Sequence, residues 1–143
     1  MTLFTIGFTK TTAQSFFERL TAAGVSRVID VRISNVSQLA GFAKKPDLEY
    51  FLETIAGIGY EHRLELAPSE EMFKRYRKSK NWDTLAAAYT TLLQQRAVEA
   101  TLDPATFEGA CLLCSEHEPS QCHRRLAAEH LAEAWPDVEI VHL

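Results

Sequence analysis

The stretch that most constrains this chain runs from Gly109 to Arg125, GACLLCSEHEPSQCHRR. Ala110 to Leu113 is an unbroken apolar run of strand length, so it reads as a buried strand. It gives way at once to a polar loop and then to an amphipathic helix. Short strands without polar alternation belong to parallel sheets covered by helices on both faces. In sheets built from such strand-loop-helix units, ligands bind outside the carboxyl ends of the strands, which is where Cys114, Ser115 and Glu116 emerge. All three cysteines and two of the five histidines of the chain lie in this stretch.

The segments before it follow the same alternation. Thr2 to Ile6 reads as a strand stopped by Gly7. Thr11 and Gln14 have capping-box spacing, Phe16, Phe17 and Leu20 supply an apolar helical face, and Gly24 stands where a left-handed cap belongs. Val25 to Val31 is a second strand, ending in Asp30-Val31-Arg32. A β-α-β unit has a right-handed crossover and parallel strands, so the loops after Ile6 and Val31 open on one edge of the sheet. Ile33 to Lys45 has no periodicity and reads as a long loop able to cover a ligand. Beyond it, Asp47 is expected to cap a helix carrying Leu48, Phe51, Leu52 and Ile55, and Tyr60 to Leu66 is a weaker third strand. A short basic helix from Pro68, a long helix over Thr84 to Ala100, a helix over Ser120 to Trp135 and a last strand over Val138 to Leu143 complete the chain. The expected fold is one three-layer α/β domain over residues 1–143, Rossmann-like, with a mainly parallel sheet of about five strands and helices on both faces.

Composition narrows the function classes. With 46% hydrophobic and 24% charged residues the chain has the balance of a soluble globular protein. No apolar run approaches the roughly 20 residues of a membrane span. The first residues lack a basic head followed by a long apolar core, and an odd number of cysteines fits a reducing compartment, so the expected location is cytoplasmic, with no membrane partner. A net charge of -4 argues against indiscriminate coating of nucleic acid. The charge is uneven, however: Arg32 to Lys80 carries +2 and the remainder -6. Phe73 to Trp82 interleaves Lys74, Arg75, Arg77, Lys78 and Lys80 with aromatics, a pattern able to contact phosphate and stack bases, and equally that of a solvated helix face.

Cys111, Cys114, Cys122 and His123 invite a zinc reading. Positions three apart in an extended strand point to opposite faces and lie about 10 Å apart, so Cys111 and Cys114 do not share an ion. No metal is assigned, and Cys111 reads as a small buried hydrophobe. A phosphatase-type Cys-x5-Arg loop fails on count, because Ser120 and Ala128 stand six residues after Cys114 and Cys122. What remains is Cys122-His123-Arg124 in the first turn of a helix capped by Ser120 or Glu118, where unpaired amides and the helix dipole favour a thiolate or a bound anion. Arg124 can add a bidentate contact to phosphate or carboxylate, and Glu116 can act as base or hold His123 or Arg124. The structural alternative is that Cys122 packs beneath the loop while Glu116 and Arg124 form an ion pair. Asp30 and Arg32, charged groups at the end of an apolar strand, belong on the same edge. His62 and Arg63 can reach that edge, whereas His117, His130 and His142 read as surface or packing residues.

The ordered set T-I-G near the start, D-V-R after the second strand, G-I-G-Y-E-H in the middle, then C-S-E, C-H-R-R and a final V-H-L resembles the domain-of-unknown-function 488 family, over nearly the whole chain. The resemblance implies a small prokaryotic α/β domain whose shared polar positions here are Gly7, Asp30, Arg32, Ser37, Tyr60, Cys114, Glu116, Cys122, His123 and Arg124. It implies no reaction. Members often carry histidine where this chain has Phe8, and a proline before Ser37 is absent.

Together these readings give an enzyme or nucleotide-binding domain acting on a phosphorylated or otherwise anionic ligand, without a cofactor. Cys114 or Cys122 is the candidate nucleophile, and Glu116, Asp30 or His123 the proton carrier. Gly7, Arg32, Ser37, Tyr60 and Arg124 are the candidate ligand-binding positions. Two other classes stay open: a nucleic-acid-associated accessory module binding through Lys74, Arg75, Arg77, Lys78 and Lys80, and a thiol redox sensor pairing Cys114 with Cys122.

Overall fold

Five short strands, Thr2–Gly7 (β1), Arg27–Asp30 (β2), Gly59–His62 (β3), Ala110–Cys114 (β4) and Glu139–His142 (β5), pair in parallel in the order β3-β2-β4-β1-β5. This is a computed structural model, and it describes residues 1–35, 41–116 and 118–143. β4, all five of whose residues are buried, lies at the centre, as its unbroken apolar sequence requires. Its side chains alternate: Cys111 and Leu113 enter the core on one face, Leu112 and Cys114 the core on the other.

On the first face lie α1 (Ala13–Ala23) and α2 (Lys45–Phe51), which bring Phe16, Phe17, Leu20 and Leu48 into the core. The other face is covered chiefly by α4 (Trp82–Arg96) and α7 (His123–Ala134), through Tyr89, Leu93, Ala127, Ala128 and Leu131. Between β3 and α4 the chain makes a 3-10 turn, Leu64–Leu66, and the basic helix α3 (Glu70–Ser79). Two helical turns, α5 (Val98–Thr101) and α6 (Pro104–Phe107), precede β4. The expected α/β architecture is thus present, with a sheet parallel throughout.

Helix starts differ from expectation for local reasons. In α1 the cap is Thr12, one residue later than read from the sequence: its extended backbone lets Oγ1 accept from the Ser15 amide at 3.1 Å, while Thr11 accepts from Arg19. α2 begins at Lys45 with Pro46 in its first turn, so Asp47 faces the helix dipole from inside the turn instead of capping it. The helix expected over Thr84 to Ala100 is broken at Ala97, which is left-handed with φ of 49°. α7 starts three residues after Ser120, because the preceding residues turn and the Cys122 amide bonds the Pro119 carbonyl. Cys122 is therefore the cap residue, and its thiol makes no cap bond. The third strand ends at His62, since Leu64–Leu66 tightens into the 3-10 turn.

After β2 the chain turns to the α1/α2 face, and after β4 it turns to α7 on the opposite face. A crevice opens where neighbouring parallel strands send their helices to opposite sides. The β2–β4 register sets Asp30 beside Leu113, and the β1–β4 register sets Gly7 beside Cys114, so three strand ends converge.

Candidate functional site

Cys114 is the last residue of β4 and is 5% exposed. Its Sγ lies 3.5 Å from His123 Nδ1 and 3.7 Å from Nε2. His123 Nε2 donates to the Val31 carbonyl at 2.7 Å; a carbonyl only accepts, so Nε2 carries the hydrogen and the lone pair is on Nδ1, while the sulfur, nearly equidistant from both nitrogens, lies over the ring. The buried Tyr89 ring meets the imidazole edge-on at 5.5 Å, and its hydroxyl is tied to the Leu66 carbonyl at 2.6 Å. Packing and the Val31 carbonyl together set the resting orientation of His123.

A hydrogen bond from the Cys122 thiol and the backbone amides of Ser115 and Glu116 favour the Cys114 thiolate. The Cys122 bond is the largest influence, and together with the amides and the Arg124 charge it holds the Cys114 thiol below its ordinary value of 9.0 against the opposing effect of burial. The partner moves the other way. Donating that bond, with burial added, pushes Cys122 well up. Burial pushes Cys111 up as well, on the far face of the sheet. The pair thus loses one proton readily and keeps the second.

The loop after β4 is held from behind. Arg124 is fully buried; its Nη1 donates to the Glu116 carbonyl and its Nε to Thr5 Oγ1 at 3.3 Å. Gly7 makes room for this: a Cβ there would overlap the Glu116 carbonyl and lie 2.8 Å from Arg124 Nη1. On the β2 side, Arg32 is 3% exposed and binds Asp30 through Nε at 2.9 Å and Nη2 at 2.7 Å. Nη2 also donates to the Ala43 carbonyl, and the guanidinium lies 5.0 Å from the Phe8 ring centre. Nη1 is buried with no hydrogen-bond partner among the described residues. Asp30 further accepts from the Arg32 amide and from the Tyr60 hydroxyl, at 2.6 Å.

The site opens on a cleft of about 660 Å³ lined by Arg32, Ile33 and Ser34 after β2, by Cys114, Ser115 and Glu116 after β4, by His123 of α7, and by Glu70, Phe73, Lys74 and Arg77 of α3. Of the residues expected at the site, Arg32, Cys114, Glu116 and His123 line it. Cys122 sits behind, where its sulfur, that of Cys114 and a His123 ring nitrogen all lie within 4.8 Å of one another. Asp30 and Tyr60 stand behind Arg32, and Gly7 and Arg124 behind the β4 loop, all outside the lining. Ser37 and His117 lie outside the described residues. His62 bonds the Arg32 carbonyl at 2.7 Å, and Arg63 pairs with Glu61.

The basic segment does not form a separate surface in its entirety. Lys74 and Arg77 make a wall of the cleft, with Arg77 5.5 Å from the Phe73 ring, whereas Arg75 pairs with Glu71 at 2.6 Å and Lys78 and Lys80 stand at the end of α3. Glu70 was not expected at the cleft, whereas Ser34 and Ser115 belong to stretches expected at this edge. For Glu70 a signal existed: 70, 73, 74 and 77 share one helical face. The family model described as "Domain of unknown function DUF488" matches residues 12–131. No curated protein and no solved structure matches the chain.

Proposed function

The chain belongs to the family of that domain of unknown function, and from that premise we propose that it is an enzyme that uses Cys114 as a thiolate nucleophile on a phosphorylated or otherwise anionic ligand in the β2–β4 crevice. The observation that carries the reading is the placement of the Cys114 sulfur on the cleft wall, within 4.8 Å of the Cys122 sulfur and 3.5 Å from His123 Nδ1, in surroundings that favour its thiolate. A nucleophile, a base and an orienting group on the base are the parts of covalent catalysis, and here the orienting group is the Val31 carbonyl.

In the reaction, the Cys114 proton passes to His123 Nδ1 and the sulfur lone pair attacks an electrophilic carbon or phosphorus of the ligand. The bond to the leaving group breaks, and the imidazolium returns its proton to that group. Water, deprotonated by His123, then cleaves the thioester or thiophosphate and regenerates the thiol. Lys74 and Arg77 face the ligand as cations. Arg32, its charge paired with Asp30, lines the cleft beside them, and Phe73 offers a surface for a ring-bearing ligand such as a nucleotide. Asp30 and Arg124 act at one remove, holding Arg32 and the Glu116 carbonyl in place. The reading suits a reducing, cytoplasmic setting in which Cys114 and Cys122 stay thiols.

Iodoacetamide labelling read by peptide mass spectrometry tests this, with chelator present. Cys114 is expected to react ahead of Cys111 and Cys122, and inorganic pyrophosphate to slow it. Uniform rates at the three cysteines, or no protection by pyrophosphate, would refute it. The nucleic-acid reading has one observation in its favour, the Lys74–Arg77 wall beside Phe73, and is distinguished by oligonucleotide binding that depends on salt and on Lys74 but not on Cys114.

A further inference from the structure

We propose that Cys114, Cys122 and His123 form a three-ligand site for a thiophilic divalent cation of the Zn²⁺ class, with its fourth coordination position open to the cleft. The three donor atoms lie within 4.8 Å of one another although Cys114 ends a strand and the other two begin a helix. A tetrahedral ion with bonds of about 2.3 Å to sulfur and about 2.0–2.1 Å to nitrogen separates those atoms by roughly 3.5–3.6 Å. Cys114 Sγ lies 3.5 Å from His123 Nδ1 and 3.7 Å from Nε2, over the ring, so the imidazole turns on binding to bring the Nδ1 lone pair onto the ion.

The surroundings of the donors fit a ligand set. His123 donates its other ring N–H to the Val31 carbonyl, an outer contact that fixes the tautomer with its lone pair on Nδ1 and raises its basicity. The Ser115 and Glu116 amides favour the Cys114 thiolate. Two sulfurs and an imidazole select Zn²⁺ or Co²⁺ over Mg²⁺ or Ca²⁺. Cys114 and His123 line the cleft and Cys122 sits behind, so the remaining position faces the ligand space and takes water. On binding, the sulfurs lose whatever protons they hold to solvent and two thiolates and Nδ1 give lone pairs to the ion. The sulfur of Cys114 is then committed, so the ion switches the thiol chemistry off. The site does not rest on that chemistry, because a chain without a nucleophile would hold the ion equally well.

Titration with Co²⁺ tests the site on the whole chain. One ion per chain is expected, with sulfur-to-cobalt charge-transfer absorption, the intense visible bands of a tetrahedral site, release of at least one proton per ion, and displacement by Zn²⁺. Cys122→Ala and His123→Ala each weaken binding by about tenfold or more, and Cys111→Ala leaves it unchanged. Should a ligand variant fail to fold, the wild-type chain still decides: Zn²⁺ must protect both Cys114 and Cys122 from iodoacetamide and leave Cys111 as it was. Weak six-coordinate spectra, no proton release or no protection would overturn the proposal. None of these failures touches alkylation of Cys114 in chelator, which tests the nucleophile separately.

Discussion

Cys114 differs from the other two cysteines by what points at it, not by exposure, since all three are buried. Its donors outweigh burial, whereas Cys111 has apolar neighbours and Cys122 gives its hydrogen away. Gly7 belongs to the same arrangement. Gly7→Ala drives a methyl into the Glu116 carbonyl, so it is expected to cost about 1–3 kcal/mol in denaturant unfolding and to slow Cys114 alkylation by displacing the loop. Arg124 is fully buried, and Arg124→Ala is expected to lower stability together with reactivity; lost reactivity at unchanged stability would instead make it a direct ligand contact. At the neighbouring strand end, Tyr60→Phe deletes a donor to a buried carboxylate. A loss of about 1–3 kcal/mol is expected, with Cys114 reactivity retained.

At the scale of elements, α3 is the part that the sequence presented ambiguously. Its cations read equally as a solvated face or a nucleic-acid stripe, and only the docking of the helix beside β2 and β4 separates Lys74 and Arg77, in the cleft, from Arg75, which is paired with Glu71. The double variant Lys74→Glu, Arg77→Glu is expected to weaken pyrophosphate protection of Cys114 by about tenfold or more at low salt, and by less at high salt, where exposed charges are screened. The central strands were legible as unbroken apolar runs buried on both sides, and the helix faces because burial imposes period 3.6 on their residues. Helix starts were less so: Thr11 and Thr12 both suit a cap, and the turn that delays α7 to His123 depends on a backbone bond from Cys122 to Pro119 that no pattern encodes.

Across the whole molecule, the sheet order joins strand ends that are far apart in sequence, which is why the site was only partly readable. The convergence of β2 and β4 follows from parallel strands, and it brings Arg32, Cys114, Glu116 and His123 to one cleft. The division of labour behind that cleft is set by contacts that no sequence pattern encodes: Asp30 and Tyr60 serve Arg32, and Arg124 serves a carbonyl. The thiol pair also couples folding to pH. The unfolded chain loses both protons near 9.0, whereas the folded pair loses the first below that value and the second above it. The Cys114 contribution is present above the unfolded value and is lost as pH falls through the lowered folded one; the Cys122 contribution is present below the unfolded value and is lost as pH rises beyond it. Stability attributable to the pair therefore peaks near 9.0, and the double variant Cys114→Ser, Cys122→Ser is expected to flatten that feature in unfolding curves taken across the alkaline range. The most direct measurement is the pH dependence of Cys114 alkylation in chelator, for the wild-type chain and for Cys122→Ala. The midpoint is expected below 9.0 and moves upward when the Cys122 donor is removed; a midpoint at or above 9.0, unmoved by the substitution, would contradict an activated Cys114.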